Sequence, residues 1–402
     1  MQFPRVQFRL ACLAALALSV YCAEAQEKVA LQTRRVFEFA ETGIRFSNQF
    51  PGGRLNDCSQ IGEDKFQIVI RPESERINNS AWYAFQVVAD ESKVIEITLT
   101  YENGKHRYDP KVSRDGKVWK RLEGKRFVRD REAKTATLTL AVDRRPLWVA
   151  GQPLIGVKEI EAWSEKLAKK SFVSQAEFGK SMRGYPLRRL RIGDKGARNH
   201  VIIISRQHPP EITGTIGMMA FVEKLADGSK LSRRFRAKFK TWVVPLMNPD
   251  GVNEGHWRHN LGGVDLNRDW KVFFQPETRA VRDLISRIVS APNTRPVLFL
   301  DFHSTYRDVF YTQLDKHETV PKDFTKRWLA AIGERFPDYR IRRDGSHNVT
   351  QATSKWWAYE NLGVPAITYE LGDETDRDVI ERVARGAAEE AMKLLLETAG
   401  DF

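Results

Sequence analysis

The chain changes hydropathy period near Pro153, and that change decides which folds are open to it. Before Pro153, apolar residues alternate with polar ones. In "KVIEITLTYE", Ile95, Ile97, Leu99 and Tyr101 are separated by Glu96, Thr98 and Thr100, and "TATLTLAV" repeats the pattern with Leu138, Leu140 and Val142. Short period-two runs broken by turn-rich pieces such as "PGGRLND", "YENGK" and "SRDGK" predict an antiparallel β-sandwich with one wet face per sheet. After Pro153 the apolar runs become continuous: "HVIIIS", "FKTWVVPLMN", "RPVLFLDFHS" and "VPAITYEL". Helical patterns separate or follow them. "GVKEIEAWSEKLAKK" places Val157, Ile160, Trp163 and Leu167 on one face. Further helical segments lie around Met218, Met219, Phe221, Val222 and Leu225, and over 279–290, 323–336 and 377–398. Buried strands alternating with helices predict an α/β domain built on a mostly parallel, mixed sheet.

The expected organisation is a leader over 1–25, a β-sandwich domain over 26–152 and an α/β/α domain over 153–402. The 402 residues suit two domains at ~100–200 residues each. Arg5 and Arg9, the apolar run from Leu10 to Val20, and Ala23-Glu24-Ala25 have the charge, length and small-x-small ending of a secretory signal peptide. The apolar run is too short to span a bilayer comfortably, so no stable membrane insertion is expected after cleavage. Cys12 and Cys22 lie inside the leader, which leaves Cys58 without an internal disulfide partner. An exported chain of this kind suits a bacterial periplasm. The net charge of +13 favours acidic substrates or anionic surfaces. Its Lys and Arg are scattered and no nucleic-acid signature accompanies them, so nucleic acid is not expected as a partner.

The chemistry concentrates in four residues: His208 and Glu211 of "SRQHPPE", His303 of "LDFHST" and Glu370 of "ITYELGD". A ligand pair at i and i+3 just past a strand reaches one ion from a turn, and a distant histidine completes the set. Two histidines and a carboxylate hold one Zn²⁺ with a coordination position left open, the arrangement of catalytic zinc. His208, His303 and Glu370 each follow a buried-strand run, and ligands of open α/β sheets bind at the carboxyl ends of strands. Glu370 is then placed to take a proton from water activated at the metal.

Taken in order, "HPPE", "NPDGV", "HWRHN", "VDLNRDW", "LDFHS" and "ITYEL" resemble the zinc metallocarboxypeptidase family, and within it the cytosolic-carboxypeptidase-like branch. The segment containing "GIRFSNQFPGGRLND" resembles that branch's N-terminal β-domain. The resemblance implies one zinc per chain on His208, Glu211 and His303, with Glu370 as general base and later proton donor. It implies that Asp265 orients the first zinc histidine, that Asn267 and Arg268 grip the substrate's terminal carboxylate, and that Arg258 stabilises the oxyanion. Arg suits the grip because its planar fork bonds a carboxylate through two parallel hydrogen bonds. His256 and His259 flank Arg258 and are read as loop histidines rather than ligands.

Two departures stand out. Pro210 replaces an arginine of the digestive enzymes, and "GSHNVTQATSKWW" lacks the mobile tyrosine those enzymes carry about 22 residues before the glutamate. Counting back from Glu370 places Lys355 at the base of the specificity pocket, which implies an acidic residue at the released end of a peptide or protein substrate. Two rival readings are a cell-wall stem-peptide carboxypeptidase or amidase on the same zinc machinery, and a catalytically silent binding protein. The intact base set speaks against the latter.

Overall fold

A computed structural model describes residues 29–75 and 77–398; the leader read over 1–25 lies outside them. The first eleven strands are β1 (Val36–Phe39), β2 (Ile44–Ser47), β3 (Asp57–Gly62), β4 (Lys65–Ile70), β5 (Ala84–Ala89), β6 (Lys93–Tyr101), β7 (Lys111–Ser113), β8 (Lys120–Arg121), β9 (Phe127–Asp130), β10 (Thr135–Val142) and β11 (Leu147–Ala150). They form a six-stranded sheet, β1-β2-β5-β11-β7-β8, and a five-stranded sheet, β3-β4-β6-β10-β9. The alternation read in the sequence is the packing pattern. Ile97 pairs with Leu138 and Ile95 with Leu140, and all four are buried. One pair departs from the antiparallel expectation: β4 and β6 run parallel. The intervening β5 belongs to the other sheet, so the chain crosses the sandwich and returns in the same direction.

The remainder is built on an eight-stranded mixed sheet. Its strands are β12 (Val173–Lys180), β13 (Pro186–Ile192), β14 (Asn199–Ser205), β15 (Phe239–Val244), β16 (Arg295–Thr305), β17 (Val309–Tyr311), β18 (Arg343–Asp344) and β19 (Ala366–Gly372). The order is β12-β13-β15-β14-β16-β19-β17-β18. The four continuous apolar runs of the sequence are the central strands β15, β14, β16 and β19, and neighbours among them are parallel. Antiparallel pairs β12/β13, β13/β15 and β17/β19 flank them. The helices are α1 (Val157–Ala168), α2 (Ile212–Leu225), α3 (Lys230–Lys238), α4 (Pro249–Glu254), α5 (Pro276–Val289), α6 (Phe324–Arg335), α7 (Ser354–Leu362) and α8 (Arg377–Thr398). None of the described helices is long and apolar enough to cross a membrane. From β14 the chain leads to β15 on one side, and β16 lies on the other. The order therefore reverses at β14/β16, the kind of switch point where open α/β sheets bind ligands.

The two parts are joined by buried and half-buried charge. Arg107 sets its guanidinium against Asp373 through two hydrogen bonds of 2.9 and 3.2 Å. Lys111 Nζ reaches both oxygens of Glu374 at 2.9 and 2.8 Å, and Gln152 Nε2 donates to the Asp373 carbonyl at 2.6 Å. These sandwich residues thus brace the segment that follows Glu370.

Candidate metal centre and active site

His208 and Glu211 sit in the turn between β14 and α2, and His303 lies near the carboxyl end of β16. All three are buried. His208 Nδ1 lies 2.8 Å from Glu211 Oε1, and His303 Nδ1 lies 2.7 Å from Glu211 Oε2. The two Nδ1 atoms face each other at 3.2 Å. Two nitrogens bound at 2.0–2.1 Å to one tetrahedral zinc stand about 3.3 Å apart, so the donors fit that ion. Burial alone would raise the Glu211 carboxyl, but the flanking imidazoles hold it well below the usual carboxylate range.

Each imidazole is fixed from behind. His208 Nε2 meets Asp265 Oδ1 at 2.8 Å, the placement read for Asp265 from the sequence. His303 Nε2 meets Asp301 Oδ2 at 2.8 Å, a contact the sequence reading did not include. Asp301 also accepts from Gln207 Nε2 at 2.7 Å and from the Ser354 hydroxyl. A carboxylate on the outer nitrogen fixes tautomer and ring angle, which turns both Nδ1 lone pairs toward one point. The sequence did carry a signal: Asp301 is a charge inside an otherwise apolar buried strand, and such charges need a partner.

Close packing of α2 on β16 sets the spacing of these ligands. A Cβ on Gly214 would stand 2.4 Å from the His303 carbonyl oxygen, so only glycine lets the first turn of α2 approach. Ser304 Oγ accepts from Gly214 N at 2.8 Å and locks the contact.

Glu370 occupies the register position directly opposite His303 on neighbouring parallel strands. Its Oε2 is buried and has no hydrogen-bond partner among the described residues. Burial raises the Glu370 carboxyl; His303 and Arg258 oppose the shift, and Glu211 and Asp301 add to it. Arg258 lies within a buried loop, with Nε on Asp265 Oδ2 at 2.7 Å. Its positive charge also acts on Glu211 and Glu370.

Asn267 is buried, with Nδ2 3.5 Å from His303 Nε2 and Oδ1 accepting from Ser354 N at 2.9 Å. Arg268 is exposed, donates to the Asn267 carbonyl at 2.8 Å, and has no carboxylate partner among the described residues. The structure therefore brings His208, Glu211, His303, Glu370, Arg258, Asp265 and Asn267 into one neighbourhood, with Arg268 beside it. His256 and His259 stay outside the metal group: His256 Nδ1 lies 3.0 Å from the His259 carbonyl.

Lys355 is buried. It lies in the first turn of α7, a helix capped by Thr353, whose hydroxyl accepts from Trp356 N. Lys355 is 2 % exposed, and its Nζ donates to the carbonyls of Thr312 at 3.0 Å and His347 at 2.7 Å. Burial lowers its pKa to about 8, with Asp344 opposing. The His347 ring stacks on Tyr311 of β17, centroids 3.8 Å apart.

A zinc-type His-Glu-His group at the switch point, beside a carboxylate whose buried oxygen has no partner among the described residues and an arginine whose charge acts on it, defines a class, metal-dependent hydrolases. The sequence model of the zinc carboxypeptidase family matches residues 160–389, more than half of the chain, and the chain belongs to that family. The preceding segment, 46–150, matches the cytosolic carboxypeptidase N-terminal domain. An uncharacterized protein of Zymomonas mobilis is 26% identical over 56% of this chain and 59% of its own length. Cytosolic carboxypeptidase 6 of Mus musculus is 24% identical over 65% of this chain and 53% of its own. The chain thus spans less than two thirds of the length of these curated relatives. A metallo-carboxypeptidase crystal structure from Burkholderia cenocepacia superposes with a TM-score of 0.74 at 20% identity, covering 89% of this chain and all of that one, and shares the fold.

Proposed function

We propose that this protein is a zinc-dependent carboxypeptidase that hydrolyses the last peptide bond of peptides or proteins and favours an acidic terminal residue. The observation that carries the reading is Glu370, whose buried Oε2 has no hydrogen-bond partner among the described residues, in register beside His303. His208, Glu211 and His303 would hold the zinc ion, which would supply Lewis acidity toward water and the scissile carbonyl. Glu370 removes a proton from the attacking water and returns it to the departing amine. Arg258 keeps its Nε on Asp265 and turns the rest of its fork to the oxyanion, a preorganised charge aimed at charge that develops. Arg268 and the Asn267 amide hold the free terminal carboxylate, which limits cleavage to chain ends.

The acidic preference rests on Lys355. Its ammonium is buried, touches two carbonyls and has no carboxylate within ion-pair distance among the described residues. A buried charge without a counterion is costly, and a substrate carboxylate would supply one. The test is mass-spectrometric detection of residues released from a peptide library varied at its last two positions. Wild type is expected to release Glu or Asp fastest, and Lys355→Met to lose that preference by about tenfold or more. Because kcat/KM reports groups of the free enzyme, the Glu-over-Leu ratio should fall as pH rises past about 8, where Lys355 loses its proton. Equal preference in both variants at all pH values would remove Lys355 from specificity. With its leader, the chain is proposed to act in a bacterial periplasm, which fractionation of cells expressing the full-length chain tests.

A further inference from the structure

The β-sandwich supplies no ligand to the metal group, yet it holds the loop that delivers Arg258. Glu73, between β4 and β5, has a side chain with 0% exposure. Its Oε2 accepts from Trp257 N at 2.7 Å, and its Oε1 accepts from Arg258 N at 2.9 Å and His259 N at 2.7 Å. Three successive backbone donors therefore end on one carboxylate from the other domain. The contact is reinforced on both sides. Gly52 N donates to the Asn253 carbonyl at 2.7 Å, and Arg34 Nη2 donates to the same carbonyl at 2.6 Å. The Trp257 ring lies so close to Gly104 that a Cβ there would stand 2.6 Å from it.

We propose that Glu73 is a positioning residue for the reaction: it fixes the backbone of Arg258 so that the guanidinium meets Asp265 and the reacting carbonyl. This rests on the oxyanion role given to Arg258 above. A carboxylate suits the task because it offers acceptors on both oxygens. An amide in its place would turn an N–H group against at least one of the three backbone donors. The sandwich then has a stated job, which is to hold the transition-state arginine in register with the zinc ligands. Only the full two-domain chain completes the site.

The experiment is a double-mutant cycle on the zinc-loaded full chain with a peptide ending in glutamate: wild type, Glu73→Gln, Arg258→Ala and the double variant. Glu73→Gln is expected to lower kcat about 10–100-fold with KM changed less than about threefold, because positioning errors near 1 Å weaken transition-state contacts selectively. Zinc should remain at one per chain. In the Arg258→Ala background, Glu73→Gln should cost less than about threefold further, since a residue acting through Arg258 has nothing left to position. Two results overturn the proposal: Glu73→Gln within about threefold of wild type, or an equal loss with and without Arg258. Wild-type turnover by Arg258→Ala alone instead removes the oxyanion role and the proposal with it, and so separates the two failures. Should Glu73→Gln not fold, Glu73→Asp carries the same cycle, since it keeps the charge and withdraws it by one methylene.

Discussion

At the scale of single residues, the metal group is held by what stands behind its ligands. Asp301 and Asp265 each take the outer nitrogen of one histidine, so the two Nδ1 atoms are aimed before any ion arrives. Asp301→Ala should therefore weaken zinc binding about 10–100-fold while leaving its stoichiometry at saturation unchanged, and Asp265→Ala should do likewise. Chelator-competition titration measures both, and unaltered affinity in either variant would contradict the orientation argument. His208, Glu211, His303 and Glu370 were legible in the sequence because each sits at or just past the end of an apolar strand. Asp301 was not read, although a carboxylate inside "VLFLDFHS" has to find a buried partner. The helix that carries Lys355 is hard to see in the sequence because the short α7 has no clear apolar face; the Thr353 cap three residues before Trp356 is the signal available.

At the scale of elements, the site depends on how closely α2 approaches β16. Gly214 and Gly217 are both in α2, but a Cβ on Gly214 meets the backbone carbonyl of His303 at 2.4 Å, whereas one on Gly217 meets the Leu371 side chain at 3.1 Å. Backbone cannot yield as a side-chain methyl can. Gly214→Ala should destabilise by about 1–3 kcal/mol and weaken zinc binding, since the clash falls on a ligand residue. Gly217→Ala should lie within about 1 kcal/mol of wild type, because alanine's helix propensity offsets a small shift of Leu371. Thermal melts of the two zinc-loaded variants decide it, and the reverse ranking would contradict the packing argument. The four central strands were readable as continuous apolar runs buried on both faces. The flanking strands were not. β17 and β18 have three and two residues, too few for any period, and β13 reads "PLRRLRI", with half-buried arginines between its buried Leu187, Leu190 and Ile192.

At the scale of the whole molecule, the two domains share one hydrophobic cluster, which runs from Phe46 and Phe85 in the sandwich to Trp257, Phe302 and Tyr369 beside the site. Two ion pairs cross the same junction: Arg107 with Asp373, whose side chains are both buried, and Lys111 with the half-buried Glu374. Breaking such a pair strands a charge in low dielectric, so neither domain can open without cost to the other. Calorimetry of the zinc-loaded chain should show one cooperative transition, matched by tryptophan fluorescence; two separated transitions would contradict the shared core. The domain junction is also where the sequence was least legible. Glu73 lies 184 residues from Trp257, the first of its backbone partners, and no periodicity links positions so far apart.

The central claim is that Glu370 moves the proton while His208, Glu211 and His303 hold the metal. Glu370→Gln tests it, assayed for zinc content and for turnover of a peptide ending in glutamate. One zinc per chain with kcat lowered roughly a thousandfold is the predicted result. Zinc-loaded Glu370→Gln turning over within about tenfold of wild type would contradict it.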